Sequence, residues 1–248
     1  MNKIRRCFMK KFLAIFLIGM VVIVGALFFH RWSEALLQGE SPSQDQASER
    51  SLPQRDKRIT ESGRTAPVSN GSTGILLVNA SNQLPQNYKP VELLRLYEQK
   101  GRHFQLAESD IEVCATVFDA MERMFAAAGR DDVSGFIITS GYRSFAEQAE
   151  IFATDKNGNA ARPGTSEHET GLAFDVTAYG KKNFERTPQF AWLSKHCAEY
   201  GFIIRYPQGK EDVTGYPYEP WHYRYVGSPA AKEIMDKGIA LEEYLEQS

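Results

Sequence analysis

The feature that most constrains this chain is an eighteen-residue run without a charge, Phe12 to Phe29, in a protein of 248 residues. As a helix rising about 1.5 Å per residue it spans roughly 27 Å, close to the hydrocarbon thickness of a bilayer. Lys3, Arg5, Arg6, Lys10 and Lys11 precede it with no acid among them, and His30, Arg31 and Trp32 follow. Basic flanks stay in the cytoplasm, so the expectation is a single-pass signal anchor over residues 1–32, with the rest extracytoplasmic. A cleaved signal peptide is the competing reading, but it has a shorter apolar core, and Leu27-Phe28-Phe29 makes a poor cleavage site.

Residues 33–73 change character. They are rich in Ser, Gln, Asp, Glu and Arg and poor in apolar side chains, too poor to offset the entropy of ordering. They read as a linker, flexible from about residue 38, leaving one folded domain over 74–248. Hydrophobic residues make up 42% of the chain and charged ones 24%, which suits a globular domain and excludes a polytopic membrane protein. A net charge of −2 offers no basic field for nucleic acid. Three cysteines, Cys7, Cys114 and Cys197, lack CxxC spacing and are too few for a disulfide scaffold. Cys114 and Cys197 fall on expected apolar helix stripes and read as buried free thiols, with a pair as the alternative.

The domain reads as α+β. Ordered structure should begin at Ile75-Leu76-Leu77-Val78. Ser109 to Glu112 has the form of a capping box, with Ile111, Ala115, Phe118 and Phe125 following at helical spacing and Gly129 as a stop. Phe136 to Thr139 reads as a buried strand. Ser144 to Glu147 is a second capping box, opening a short helix with Phe145, Ala149 and Phe152 on one face. Leu172 to Thr177 alternates as a strand. Thr187-Pro188 opens a helix with Phe190, Leu193 and Cys197 as its stripe. Phe202–Arg205 and His222–Val226 read as strands, and Ser228-Pro229 opens a last helix toward Gly238. This irregular order implies a mostly antiparallel sheet with helices packed on one side.

Two of the five histidines have neighbours that suggest chemistry. His168 lies seven residues before Asp175, with Gly171 between them. A loop bending at the glycine and entering a strand can bring both side chains to one point. His222, at the start of another strand, can supply a third ligand. Two imidazoles and a carboxylate suit a zinc ion that keeps one position open. Glu219, three residues before His222, suits a general base for the water such a metal activates. His30, His103 and His196 read as packed or surface residues.

These segments resemble the VanY-type D-alanyl-D-alanine carboxypeptidases, a branch of the LAS zinc peptidases. The metal motif S-x-H-x-x-G-x-A-x-D is matched by Ser166, His168, Gly171, Ala173 and Asp175. E-P-W-H-x-R is matched by Glu219 to Arg224, and S-G-Y-R-S with a following Gln by Ser140 to Ser144 and Gln148. The segments Leu77-Val78-Asn79 with Leu84-Pro85, and Gly201 to Pro207, are similar as well, so the likeness covers about residues 75–246. The resemblance implies an LAS-type fold with Zn2+ held by His168, Asp175 and His222, and Glu219 as the base. Arg143 would pair with the substrate carboxylate or the developing oxyanion, with Gln148 and Ser166 as further substrate contacts. Arg224 would buttress the metal site or serve the fold. The implied reaction is removal of the terminal D-alanine from a peptidoglycan stem peptide by a metal-activated water. An L,D-carboxypeptidase acting on tetrapeptide stems and a non-catalytic cell-wall peptide binder with a structural zinc are the alternatives.

Overall fold

The computed structural model describes residues 74–247 except 157 and 159. The basic tail, the apolar run and the linker expected over 1–73 lie outside the described residues. No helix among those described is long and apolar enough to cross a membrane.

The strands are β1 (Leu93–Arg95), β2 (Gln105–Leu106), β3 (Glu112–Cys114), β4 (Phe136–Ser140), β5 (Ala173–Ala178), β6 (Phe202–Ile204) and β7 (His222–Tyr225). The helices are α1 (Ala115–Arg130), α2 (Phe145–Thr154), α3 (Pro188–His196), α4 (Glu211–Thr214), α5 (Ser228–Lys237) and α6 (Leu241–Glu246). β1 and β3 form a small antiparallel ribbon, and the other five strands form one sheet in the order β2-β4-β5-β7-β6. Only β2 against β4 is parallel, so the sheet is mixed and mostly antiparallel.

Strand periodicity gives this sheet two different faces. Phe136 and Ile138 of β4, Phe174 and Val176 of β5, Tyr223 of β7, and Phe202 and Ile204 of β6 all point into the main core. There they meet Val117, Met121, Met124 and Phe125 of α1, which recur every three to four residues, together with Trp192 and Leu193 of α3. Phe125 sits at the centre, its ring 4.7 Å from that of Phe136 and 5.3 Å from that of Phe104. The alternate residues Asp175, His222, Arg224 and Ile203 project from the opposite face. At the β6 edge that face is covered by α5 and α6, whose Ala231, Ile234, Leu241 and Leu245 pack on Ile203. Helices therefore occupy both faces, not one as expected, because β6 is apolar on both sides. In the middle of the sheet the second face carries polar groups.

Several local expectations hold. Ser144 accepts from the Glu147 N–H while its own N–H donates to the Glu147 carboxylate, a complete capping box. Thr187 caps α3 by accepting from the Phe190 N–H, with Pro188 at the first position. Others are corrected. The Ser109–Glu112 box caps no helix: Glu112–Cys114 pairs with β1, and α1 begins at Ala115. Ile111 is thus buried outside the helix, and the helix runs past Gly129 to Arg130. The buried residue of α2 is Gln148, while Phe152 is 42% exposed. After Gly238 the chain makes one more helix, α6.

Candidate metal centre and catalytic cleft

The site is assembled on the polar face of the sheet, where β5 and β7 lie side by side. Asp175 and His222 are direct cross-strand partners, so both side chains leave the same face next to each other. His168 arrives from the turn that precedes β5. Residues Glu167–Thr170 form a tight 3-10 turn, and Gly171 reverses the chain with φ of 68°. A Cβ at Gly171 would lie 2.8 Å from the Cys114 sulfur, so both the conformation and the space require glycine. One donor atom each from His168, Asp175 and His222 lie within 4.8 Å of one another.

The tautomer of His168 is set from behind. Its Nδ1 is 2.7 Å from the Gly141 carbonyl, which can only accept, so Nδ1 carries the proton and Nε2 offers a lone pair. That Nε2 lies 3.4 Å from Asp175 Oδ2. His222 presents Nδ1, 3.0 Å from Asp175 Oδ1, and its ring stands perpendicular to that of His168. Burial keeps His168 below the usual imidazole value, which favours the neutral form a ligand requires. Burial acts on His222 in the same direction, but hydrogen bonds and charge from Asp175 and Glu167 outweigh it and push the ring up to about 9. Asp175 is held well below the carboxylate range, since His168 and His222 overcome the effect of its burial. Two imidazole nitrogens and one carboxylate oxygen are the donor types of a catalytic zinc, and an open cleft supplies the remaining position.

That cleft, about 430 Å³, is lined by His168, Asp175, His222, Glu219, Arg143, Gln148 and Ser166, while Arg224 lies outside its lining. Glu219 Oε2 stands 3.9 Å from His222 Nδ1. Its carboxyl is raised, chiefly by burial, with His222 pulling the other way. Arg143 is held in a fixed pose: Nε and Nη2 donate to Ser140 Oγ at 3.1 and 2.8 Å, and Nη1 to Gln148 Oε1 at 3.3 Å. Its Nη2 is 3.6 Å from Asp175 Oδ2. Gln148 also donates to the Ala161 carbonyl at 2.8 Å, so both ends of its amide are engaged and it braces Arg143. Ser166 is buried at the wall of the cleft. Of the aromatics, Tyr206 and Tyr223 are buried, and Trp221 stands at the rim, 42% exposed. His103 and His196 lie away from the site, paired with Glu122 and Glu199. Cys114 and Cys197 are buried and free, and burial pushes the Cys197 thiol up to about 12. Cys114 lies at the end of β3 rather than on a helix.

Behind the three candidate ligands lies a buried ion cluster, of which the sequence marked only Arg224. Glu167 Oε1 accepts from Arg205 Nε at 2.7 Å and from Arg224 Nη1 at 2.6 Å. Arg205 grips Glu242 with both terminal nitrogens, at 2.9 and 2.6 Å, and Asn79 donates to the same carboxylate at 3.1 Å. Arg224 Nη2 donates to the Leu76 carbonyl at 2.6 Å, so it serves the cluster and the fold together. The available signal was Arg205 itself, a charge closing the apolar run Phe202-Ile203-Ile204.

Comparison with known proteins identifies the family. The family model described as VanY, D-alanyl-D-alanine carboxypeptidase, matches residues 110–228. YodJ of Bacillus subtilis (strain 168) is 37% identical over 193 residues, 73% of this chain and 70% of YodJ. The solved LdcB LD-carboxypeptidase superposes with a TM-score of 0.62 at 38% identity, covering 69% of this chain and 85% of that one. A variant of the vancomycin-resistance D,D-pentapeptidase VanY, solved in complex with Zn(II), superposes with a TM-score of 0.56 at 35% identity, covering 68% and 97%. With the motif residues gathered in one cleft on the fold of these relatives, the chain belongs to the VanY family of D-alanyl-D-alanine carboxypeptidases.

Proposed function

We propose that this protein is a zinc-dependent D-alanyl-D-alanine carboxypeptidase that trims the C-terminal D-alanine from peptidoglycan stem peptides. The observation that carries the reading is the convergence of His168, Asp175 and His222 beside Glu219 in an open cleft. His168 Nε2, an Asp175 carboxylate oxygen and His222 Nδ1 are the atoms that would hold the metal. Zinc, when bound, supplies a Lewis acid for the scissile carbonyl and makes water a nucleophile near neutral pH.

The protein's own groups do the rest. Glu219 takes a proton from the attacking water as the C–O bond forms. It then delivers that proton to the D-alanine nitrogen as the C–N bond breaks. Desolvation raises its partly buried carboxyl, which favours uptake of the proton in the first step. Arg143, braced by Ser140 and Gln148, presents a charge that needs no reorganisation. It serves the substrate's terminal carboxylate or the developing oxyanion, and Arg143→Lys separates the two. A rise in KM alone marks the carboxylate role, whereas a fall in kcat marks the oxyanion role. Gln148 fixes Arg143, and Ser166 lines the substrate's path.

The test is mass spectrometry of a stem-peptide digest. Loss of terminal D-alanine should stop with a chelator and return with zinc; turnover indifferent to both refutes the reading. The likeness to LdcB supports a second reading with the same chemistry, L,D-cleavage of a tetrapeptide stem. Supplying pentapeptide and tetrapeptide separately divides the two.

We also infer that residues 12–29 hold the protein at the cell membrane with the domain on the extracytoplasmic side. The length of that run and its basic flank support this. External protease should remove the domain from intact spheroplasts; protection of the domain until lysis is the contrary result.

A further inference from the structure

Glu167 sits between two residues of the metal motif, and the proposed chemistry gives it no task. It lies at the floor of the cleft, 1% exposed. Its two oxygens are used unequally. Oε1 accepts from both guanidiniums of the buried cluster. Oε2 has no hydrogen-bond partner, and it lies 3.6 Å from His222 Nε2, a buried nitrogen that also lacks one. Two unsatisfied buried polar atoms of opposite character thus face each other across slightly more than a hydrogen bond. Leaving both unpaired costs more than a small ring movement that joins them.

The surroundings leave the imidazole few other orientations. The Tyr206 ring packs beside it at 5.0 Å, and the His168 ring meets it edge-on at 4.8 Å. Arg224, which anchors Glu167, stands two residues after His222 on the same face of β7. The strand that carries the imidazole therefore also carries the group that fixes its neighbour. His168 is held from behind in a parallel way by the Gly141 carbonyl. For His222 the corresponding group is a side chain, and it can be altered.

We propose that Glu167 is a positioning residue for His222: its Oε2 accepts a hydrogen bond from the Nε2–H, keeps Nδ1 turned to the cleft, and thereby sets the metal affinity of the site. This rests on the zinc reading above. A carboxylate behind a ligating imidazole fixes its tautomer and raises its basicity.

The test compares zinc affinity, by chelator competition, in the wild type, Glu167→Gln and Glu242→Gln. With its oxygen claimed by two guanidiniums, a glutamine at 167 turns an NH2 group toward the His222 Nε2 proton, donor against donor. Glu242→Gln perturbs the same ion cluster without facing His222. The expected result is roughly 10- to 100-fold weaker zinc binding for Glu167→Gln and a change within about twofold for Glu242→Gln. Wild-type affinity in Glu167→Gln overturns the proposal, as does an equal loss in both variants. Absence of zinc binding by the wild type overturns the zinc reading itself. Should Glu167→Gln not fold, the wild type decides, loaded with cadmium-113 and labelled with nitrogen-15 histidine. Metal coupling through His222 Nδ1 with a proton retained on Nε2 supports the role. Coupling through Nε2 excludes it.

Discussion

Glu219 is the side chain whose loss should separate binding from turnover. Glu219→Ala is expected to keep the fold and the zinc while kcat falls by about 10²- to 10⁴-fold, the range for a lost general base. Released D-alanine and metal content, measured on one sample, check it; undiminished release refutes the role. His222 makes a second prediction. In the metal-free protein its ring is raised from 6.5 to about 9, so it holds a proton at pH 7 that zinc must displace. Calorimetry in buffers of different ionisation enthalpy should show a proton released per zinc bound. The same shift stabilises the metal-free fold fully below pH 6.5, and that contribution fades as pH rises through about 9. The candidate ligands His168, Asp175 and His222, with Glu219 beside them, were legible as a group because each sits inside a compact motif. Glu167 sits inside one too, yet its role was hidden. It depends on Arg205 and Arg224, which are 38 and 57 positions away in sequence and meet it only in the folded chain.

At the level of elements, the turn before β5 is the most demanding piece. Gly171→Ala would place a methyl group against the Cys114 sulfur in a left-handed conformation. The backbone alone costs about 1–2 kcal/mol, so a larger total loss is expected in a denaturant titration, with weaker zinc binding as His168 shifts. The alternation of β5 was readable because its two faces differ in kind. The start of α1 was not, although Ser109 to Glu112 has the right residues. Cross-strand bonds to β1 and the Tyr142 N–H donating to the Glu112 carbonyl hold that segment extended. Local capping chemistry lost to tertiary pairing there. At Ser144, with no competing strand, it won; Ser144→Ala should cost about 1 kcal/mol. For α2 the apolar periodicity misled, because this helix turns a polar side chain, Gln148, inward to serve the cleft.

Across the whole molecule, the buried ion cluster ties the sheet centre to the last helix. Arg205→Ala would strand Glu167 and Glu242 without their shared partner. Breaking a buried pair typically costs about 3–5 kcal/mol, and a urea midpoint lowered to match is the expected readout. No motif marked Glu242, and α6 is only six residues long, too short for its periodicity to stand out. The crossover that places β7 between β5 and β6 was equally invisible, since strand order follows from packing rather than from any local pattern.

The bond from Arg224 to the Leu76 carbonyl bears on how far the protein can be shortened from its start. Cutting at Gly74 spares every partner of the guanidinium. Cutting at Ala80 removes its acceptor and takes away the amide of Asn79 that steadies Glu242. A crystallographer or enzymologist choosing where to begin a soluble fragment should meet an abrupt boundary within those six residues, with poor metal retention as its first symptom.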